Sequence, residues 1–493
     1  MSDTLSTLRT ALAPKTGMQR IPFPLESYEH PSLPLSAKRL INLMAEQQPA
    51  DARTAAALVS TPTLKAWNDP GLIGPGPIRA INDEMPGLVY LISGTGAYRL
   101  VLSYPGGVAV NYLGDLGALA AVNPWESSPT IAAGPSNVVF CNPPRAYTCT
   151  HAATSLTQIT DADFSGASSV AYCDGYFAFS STGDTARWFI SKLRDPVNYD
   201  ALDFAYSDAL PNLIRRVINH RGQIWTIGEG GFEVWYDAGK ADFAFRRAAG
   251  GVVPVGTHSP MSVCKIDQSV WWVGVDGIVW RSEGYTPRRV STHAIEAIVG
   301  PNSLGLQALS HPYRGHWFYC LTTQDNRTLV YDIATAVWHE RSTSTDGSAP
   351  WQAATSACDN NRLHLLGDRA TGLLYTLTMF ADDAGVTVIR QATLPTIWAG
   401  TNRAFCARVE IEMESGGSAS PGAVQLEWSD DGARTWKASR TMNAGAPGDY
   451  THRVYTTRLG AFRQRTFRIT THGVTRLFSV DAELPVLPQD HFS

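Results

Sequence analysis

Charge is scarce in this sequence. Only 17% of its 493 residues are Asp, Glu, Lys or Arg, and the formal net charge is -4. That balance excludes a generally basic nucleic-acid binder, while leaving room for a locally basic face. No apolar run approaches the roughly 20 residues that cross a bilayer. The opening MSDTLSTLRTALAPKTG is polar and has no apolar signal core, so the expectation is a soluble protein made in a reducing cell. The seven cysteines (Cys141, Cys149, Cys173, Cys264, Cys320, Cys358 and Cys406) are odd in number, and no pair has metal-knuckle spacing. They read as structural or incidental thiols, although Cys141 and Cys149 could flank a hairpin.

Signatures of chemistry are equally sparse. The twelve histidines form no HExxH and no His/Asp cluster with ligand spacing. There is no phosphate-binding GxxxxGK[ST] loop, no glycine-rich strand-to-helix turn and no GxSxG elbow, so no cofactor, metal or catalytic group is expected. A glycosidase needs two carboxylates facing each other across a sugar. Glu229, Glu233, Asp237, Asp276 and Glu283 occur singly, beside glycines or on strand edges. The reading is a protein that is not an enzyme.

What is abundant is a repeat. GQIWTIGEGGFEVWY, QSVWWVGVDGIVWR, GHWFYCLTTQDNRTLVYD and NRLHLLGDRATGLLY each place a short aromatic and β-branched strand before a Gly/Asp turn and a second strand. Trp225, Trp271, Trp317 and Leu363 are 46 residues apart. A fixed period in the forties built of strands is the mark of radial repetition, because one such unit cannot bury its apolar face alone. The class is therefore all-β, with a β-propeller over 61–384. Upstream strand pairs at 87–101, 137–150 and 169–181 bring the count to seven blades; uneven spacing there leaves six or eight open. Asp174-Gly175 and Asp276-Gly277 read as tight turns between paired strands.

Residues 1–60 are dotted with prolines, among them Pro22, Pro24, Pro31 and Pro34, and read as an extended N-terminal arm. Residues 190–214 read as a loop between blades. It is either an ordinary connection or a protein-contact loop, since rigid scaffolds carry their binding residues on loops. After about residue 385 the rhythm changes. Val409 and Ile411 alternate with Arg408, Glu410 and Glu412, as Val424, Leu426 and Trp428 alternate with Gln425 and Glu427. Half-buried antiparallel strands of this kind make a C-terminal β-sandwich over 385–493.

In that domain, Ser429-Asp430-Asp431-Gly432-Ala433-Arg434-Thr435-Trp436 resembles an Asp-box turn, with Ala433 where a second glycine is usual. The box is a folding element and not a catalytic one. Arg453, Arg458, Arg463, Arg465, Arg468 and Arg476 fall in one region with few acids. They form either a solubilising or intersubunit face, or a wall facing nucleic acid or an acidic partner.

Taken in order, several runs resemble one family. Ser36, Arg39, Asn42, Leu43 and Glu46 lead into Thr61-Pro62. Trp188-Phe189-Ile190-Ser191, Asp195-Pro196, Tyr199, Phe204 and Ala205 follow. Then come Ile224, Gly228, Phe232, Glu233, Val234, Trp235-Tyr236 and Gly250-Gly251, and finally Leu426 to Gly432 and Arg465 to Ile469. The order and co-occurrence of these weak motifs resemble the packaged-DNA stabilisation proteins, the tail hubs or tail accessory factors of short-tailed bacteriophages.

The resemblance implies a structural virion protein of the tail, made in the bacterial host cytoplasm. It would join the portal and adaptor ring to distal tail parts, extend and close the DNA channel, and retain the packaged genome. The implied partners are further copies in a homo-hexameric ring, the portal adaptor proteins, and a tail needle or tailspikes, with non-specific contact to packaged double-stranded DNA. Candidate assembly residues are Arg39, Asn42, Glu46, Arg194, Asp195, Tyr199, Phe204 and Tyr206. Two other classes stand beside this one: a carbohydrate-binding or sialidase-like receptor-recognition propeller, and a cellular propeller scaffold that binds peptides.

Overall fold

The computed structural model describes residues 17–487, apart from 50, 53, 104–106, 119–128, 211–212, 241, 360–362 and 437. The chain divides into two compact units: Leu64–Thr328 with Trp351–Leu377, and the flanking segments with Leu329–Pro350.

The first unit is the propeller. Its inner strands are Ile78–Met85, Thr130–Ala133, Ala167–Cys173, Ile214–His220, Cys264–Ile266, Gln307–Tyr313 and Ala353–Asp359. Each begins an antiparallel meander, and the last inner strand packs beside the first, so the ring is closed with seven members among the described residues. The 46-residue spacing has a direct meaning here. Trp225, Trp271, Trp317 and Leu363 all lie on the second strand of successive blades.

The blades adhere through their faces. Ala132, Val139 and Cys141 of the second blade pack with Val170, Phe177 and Phe179 of the third. Trp188 and Ile190 of the third join Val217 and Ile224 of the fourth, and Phe232 meets Trp272 at 4.9 Å in the next interface. Burying side chains of this size contributes roughly 1.5–3 kcal/mol each. A lone four-stranded sheet would leave both faces wet. Closure uses the start of the chain: Thr63–Ala66 is the outermost strand of the last blade, beside Leu374–Thr378, and Trp67 N–H donates to the Leu374 carbonyl. Asp174 and Gly175, at φ of 48° and 97°, make the expected tight turn. Gly277 adopts φ 78° in the other, where Asp276 accepts the Ile278 N–H.

The second unit is a sandwich. One sheet carries Ala37–Ile41, Arg390–Thr393, Gln464–Thr471, Ala423–Ser429 and Ala438–Asn443 in that order. The other carries Leu43–Gln47, Ala56–Ser60, Arg476–Glu483, Arg408–Met413 and Val454–Thr457. Leu40, Leu58, Val409, Ile411, Leu426, Phe467, Ile469 and Val480 fill the space between them.

The arm expected over 1–60 is not what the described residues form. Residues 1–16 lie outside the described part, but from Met18 onward the segment supplies strands to both sheets, and Met18–Ile21 pairs with Val480–Glu483. The prolines fall in the connections, and the apolar residues Leu40, Leu43 and Leu58 complete the sandwich core. Likewise Leu329–Pro350, expected inside the propeller, clusters with this unit. Its strand Val337–Arg341 runs parallel to Ala37–Ile41 through Ile41 and Glu340.

The Asp-box is formed as the sequence suggests. Ser429 Oγ accepts the Ala433 N–H at 2.9 Å, and Asp431 Oδ1 accepts the Arg434 and Thr435 N–H groups at 3.0 Å. Ala433 stands at φ 65°, a left-handed conformation that costs an L-residue on the order of 1 kcal/mol. Ala433→Gly is therefore expected to raise stability by about 0.5 kcal/mol in urea titrations, the relief of strain exceeding the added chain entropy.

Hydrogen bonds from Ser429 and Thr435 hold the Asp431 carboxyl well below its usual range. A depressed acid contributes stability above its unfolded value of about 4, and that stability is lost as pH falls. Asp431→Asn should therefore lower the melting temperature at pH 8 and flatten the acid limb of the profile, the variant and the parent converging as pH falls.

Candidate functional site

Two places could carry function: the loop on the rim of the third blade and the axial cavity of the ring.

The rim loop, Ser191–Tyr206, is held by its own polar groups. Lys192 bonds Asp200 and Asp203, both at 2.9 Å. Asp195 accepts the Val197 N–H at 2.9 Å and the Asn198 amide at 2.6 Å, and the Asn198 contact, first among the causes, lowers the pKa of its carboxyl. Arg194 is exposed with φ 58°. Tyr199, expected at an interface, is only 7% exposed. It packs against Phe164, Phe179 and Phe189, and its hydroxyl donates to the Pro196 carbonyl at 2.8 Å. Its burial follows from the loop folding back on the blade. Phe204 lies half-buried under the Arg187 guanidinium at 4.1 Å, and Tyr206 is exposed beside it. The loop presents Leu193, Val197, Leu202 and Tyr206 to solvent, Leu202 at 77% exposure.

The N-terminal candidates separate in the same way. Asn42 is buried at φ 53°, at the corner where the chain leaves one sandwich sheet for the other. Its amide donates to the Ser342 and Ile389 carbonyls at 2.8 Å. Arg39 forms a bidentate pair with Glu340, both bonds at 2.9 Å. These two are structural, whereas Glu46 is exposed.

The six C-terminal arginines do not make one open basic face. Arg453 pairs with Glu410, Arg468 with Glu427, and Arg476 with Glu414. The Arg465 side chain, 2% exposed, bonds Asp430 through Nε at 2.7 Å and Nη2 at 2.9 Å. It also lies over the Phe462 ring at 4.5 Å. Acids on or just past the ends of neighbouring strands, distant in sequence, are what these arginines face. Only Arg458 and Arg463 are exposed with no carboxylate partner among the described residues.

The carboxylates that a glycosidase would need are also committed. Glu229 pairs with Arg215, Glu283 with Arg281 and Arg288, and Glu233 accepts the Ala209 N–H at 2.7 Å. Asp237 and Asp276 accept turn N–H groups at Gly239 and Ile278. All seven thiols are free, and burial pushes Cys141, Cys173 and Cys264 up to about 12, far from a reactive thiolate. Cys141 and Cys149 lie on paired strands but oppose Ala146 and Val138, not each other. Among the described residues no helix is long and apolar enough to cross a membrane.

The axial cavity, about 360 Å³, is lined by the inner strands. At its wall stand Arg79, Asp83, Glu84, Arg216, Lys265 and His364. Lys265 reaches Glu84 at 3.7 Å, and burial, the largest cause, raises the pKa of the Asp83 carboxyl. Arg79 escaped the reading of the sequence, and Arg216 stood out only as half of the basic pair Arg215-Arg216; each lies near the start of an inner strand, in PIRAIND and LIRRVIN.

A family model described as Bacteriophage P22 Gp10, beta-propeller, matches residues 27–381, and a second, the P22 Gp10 beta-sandwich, matches 390–484. The chain belongs to this phage-stabilisation family. It is thus a structural, non-catalytic tail protein of the virion, which links portal and tail components and stabilises packaged DNA in short-tailed phages. A search of curated proteins finds no match.

Solved structures give weak likenesses. They include a catalytically inactive virginiamycin B lyase from Staphylococcus aureus (TM-score 0.44, 11% identity, 65% of this chain and 100% of that one). The extracellular domain of BT4673 from B. thetaiotaomicron gives 0.41 at 10% identity, over 83% and 58%. PorZ of Porphyromonas gingivalis gives 0.37 at 9%, over 71% and 45%. At these scores the likenesses carry no argument about this family member.

The Arg465–Asp430 pair can be weighed directly. Arg465→Met leaves Asp430 without its cation, and breaking a buried pair costs about 3–5 kcal/mol. Because Asp430 keeps some contact with water, a loss near about 3 kcal/mol is expected in chemical denaturation of the full chain.

Proposed function

We propose that this hub protein acts as one subunit of a homo-hexameric ring. The ring is mounted below the portal adaptor proteins and seats a tail needle or distal tail parts, with tailspikes as further neighbours. The observation that carries this reading is the rim loop of the third blade. Four large apolar side chains, Leu193, Val197, Leu202 and Tyr206, stand in solvent on a loop already braced by Lys192 and Asp195. A braced apolar loop loses little entropy on docking, which favours a protein contact. A subunit of a closed ring meets its neighbour through two different surfaces, and such a loop suits one of them. Arg194, Asp195, Phe204 and Tyr206 belong to this proposed contact, and Glu46 is a second exposed candidate.

Non-specific contact with packaged duplex DNA falls in this reading to Arg458 and Arg463, the exposed members of the arginine group. Binding of that kind weakens steeply with salt.

Native mass measurement of the full chain, alone and with a portal–adaptor complex, tests the assembly. A sixfold species is expected with the complex. Leu202→Asp should abolish it while leaving the monomer's melting temperature within about 1 °C, because surface substitutions alter stability little. A monomer that ignores the portal complex, or an L202D variant that assembles normally, defeats the proposal.

A further inference from the structure

Among the cysteines one stands apart. Cys141, Cys149, Cys173, Cys320 and Cys406 are buried, and Cys264, which reaches the axial cavity, has its thiol pushed up to about 12 by burial. Cys358 is only half-buried, lines the same cavity and faces a histidine.

Strand pairing makes that meeting. Ala353–Asp359 is the inner strand of the seventh blade and Leu363–Asp368 is its second strand, and in their register Cys358 stands directly opposite His364. The Cβ atoms of directly opposed residues lie about 5 Å apart, so a short thiol and an imidazole can meet across the ladder. Cys358 Sγ lies 3.6 Å from His364 Nε2, a contact suited to a thiol as a weak hydrogen-bond donor. Both side chains are half-buried, and both line the cavity. Cys358 is the last residue but one of its strand, and its N–H donates to Asp83, third from the end of Ile78–Met85 in the first blade. The pair therefore stands toward the end of the cavity at which those two strands finish.

The nucleophilic form of cysteine is the thiolate, and an adjacent base that takes the thiol proton activates it. Burial lowers the pKa of His364, so its ring is neutral at neutral pH. With the hydrogen on Nδ1, the nitrogen facing sulfur is an acceptor. The cavity, about 360 Å³, admits a small molecule but no folded protein.

We propose that Cys358, with His364 as its base, is a thiol modification site that takes low-molecular-weight disulfides. The step is thiol–disulfide exchange. His364 Nε2 accepts the proton of the Cys358 thiol, and the thiolate attacks one sulfur of the small disulfide. A new S–S bond forms between Cys358 and that sulfur as the old one breaks. The second sulfur leaves as a thiolate and takes the proton back from the imidazolium, so the products are one protein mixed disulfide and one small thiol. The site lies within the propeller and does not depend on the ring arrangement.

The test uses the full chain, folded and reduced, with dithiodipyridine as the disulfide. Release of its thiopyridone chromophore gives the rate, and peptide mass mapping locates the label. A single fast equivalent is expected on Cys358, with the remaining thiols reacting far more slowly until the chain is unfolded. Cys358→Ser should lack the fast phase. His364→Gln should slow it at least about tenfold near pH 7 and change it little near about pH 10, where hydroxide supplies the thiolate. The parent gives a reading that needs no variant to fold. With His364 as base, the fast rate holds between about pH 8 and about pH 7, whereas that of an unassisted thiol, with a pKa of about 8.5, falls nearly tenfold. The proposal is overturned if the fast label maps to another cysteine, if no thiol outpaces the rest, or if the fast rate falls with pH as an unassisted thiol's does. A folded H364Q variant that reacts like the parent near neutral pH overturns it equally.

Discussion

Every blade of this protein depends on its neighbours to cover two apolar faces. A four-stranded antiparallel sheet can bury nothing by itself, and the large aromatics of this chain are placed to be covered from the adjacent blade. Trp188, Phe232 and Trp272 are buried on the interblade faces and not within a single sheet. Such stacking has no natural end, so the ring must close or leave a raw surface. The strand Thr63–Ala66, placed on the outside of the last blade, ties the start of the ring's sequence to its finish.

The same dependence explains what the sequence could and could not reveal. The fold class was legible because period and alternation are local properties. Trp225, Trp271, Trp317 and Leu363 mark one strand in four consecutive blades, and Val409/Ile411 or Val424/Leu426 alternate as half-buried strands must. The role of residues 18–60 was not legible. Its short strands pair with partners some 400 residues away, such as Arg476 opposite Val59, and no local pattern names a distant partner. Prolines in the connections made the segment look like an arm.

The candidate residues divide along the same line. Sequence order singled out 190–214 but set it between two blades, whereas most of it lies within the third blade, joining the strands Arg187–Ile190 and Phe204–Tyr206. Nor could it tell that Tyr199 turns inward while Leu202 turns outward. It also gathered six arginines into one face, because the acids that meet Arg453, Arg465, Arg468 and Arg476 lie 35 to 62 residues away. Clustered charge in a sequence thus measures charge in space poorly when the fold is a sandwich. Arg79 and Arg216 show the converse. Far apart in the chain, they share one cavity only because both stand on inner strands.

The pairing of Met18–Ile21 with Val480–Glu483 also sets a timetable. A ribosome delivers residue 18 hundreds of residues before residue 480, so the propeller's strands are all available while this sandwich still lacks its last partner. The early strands must wait with apolar residues such as Leu40, Leu43 and Leu58 uncovered, and non-local pairing of this kind is slow. Completion of the sandwich therefore reports that translation has passed residue 483.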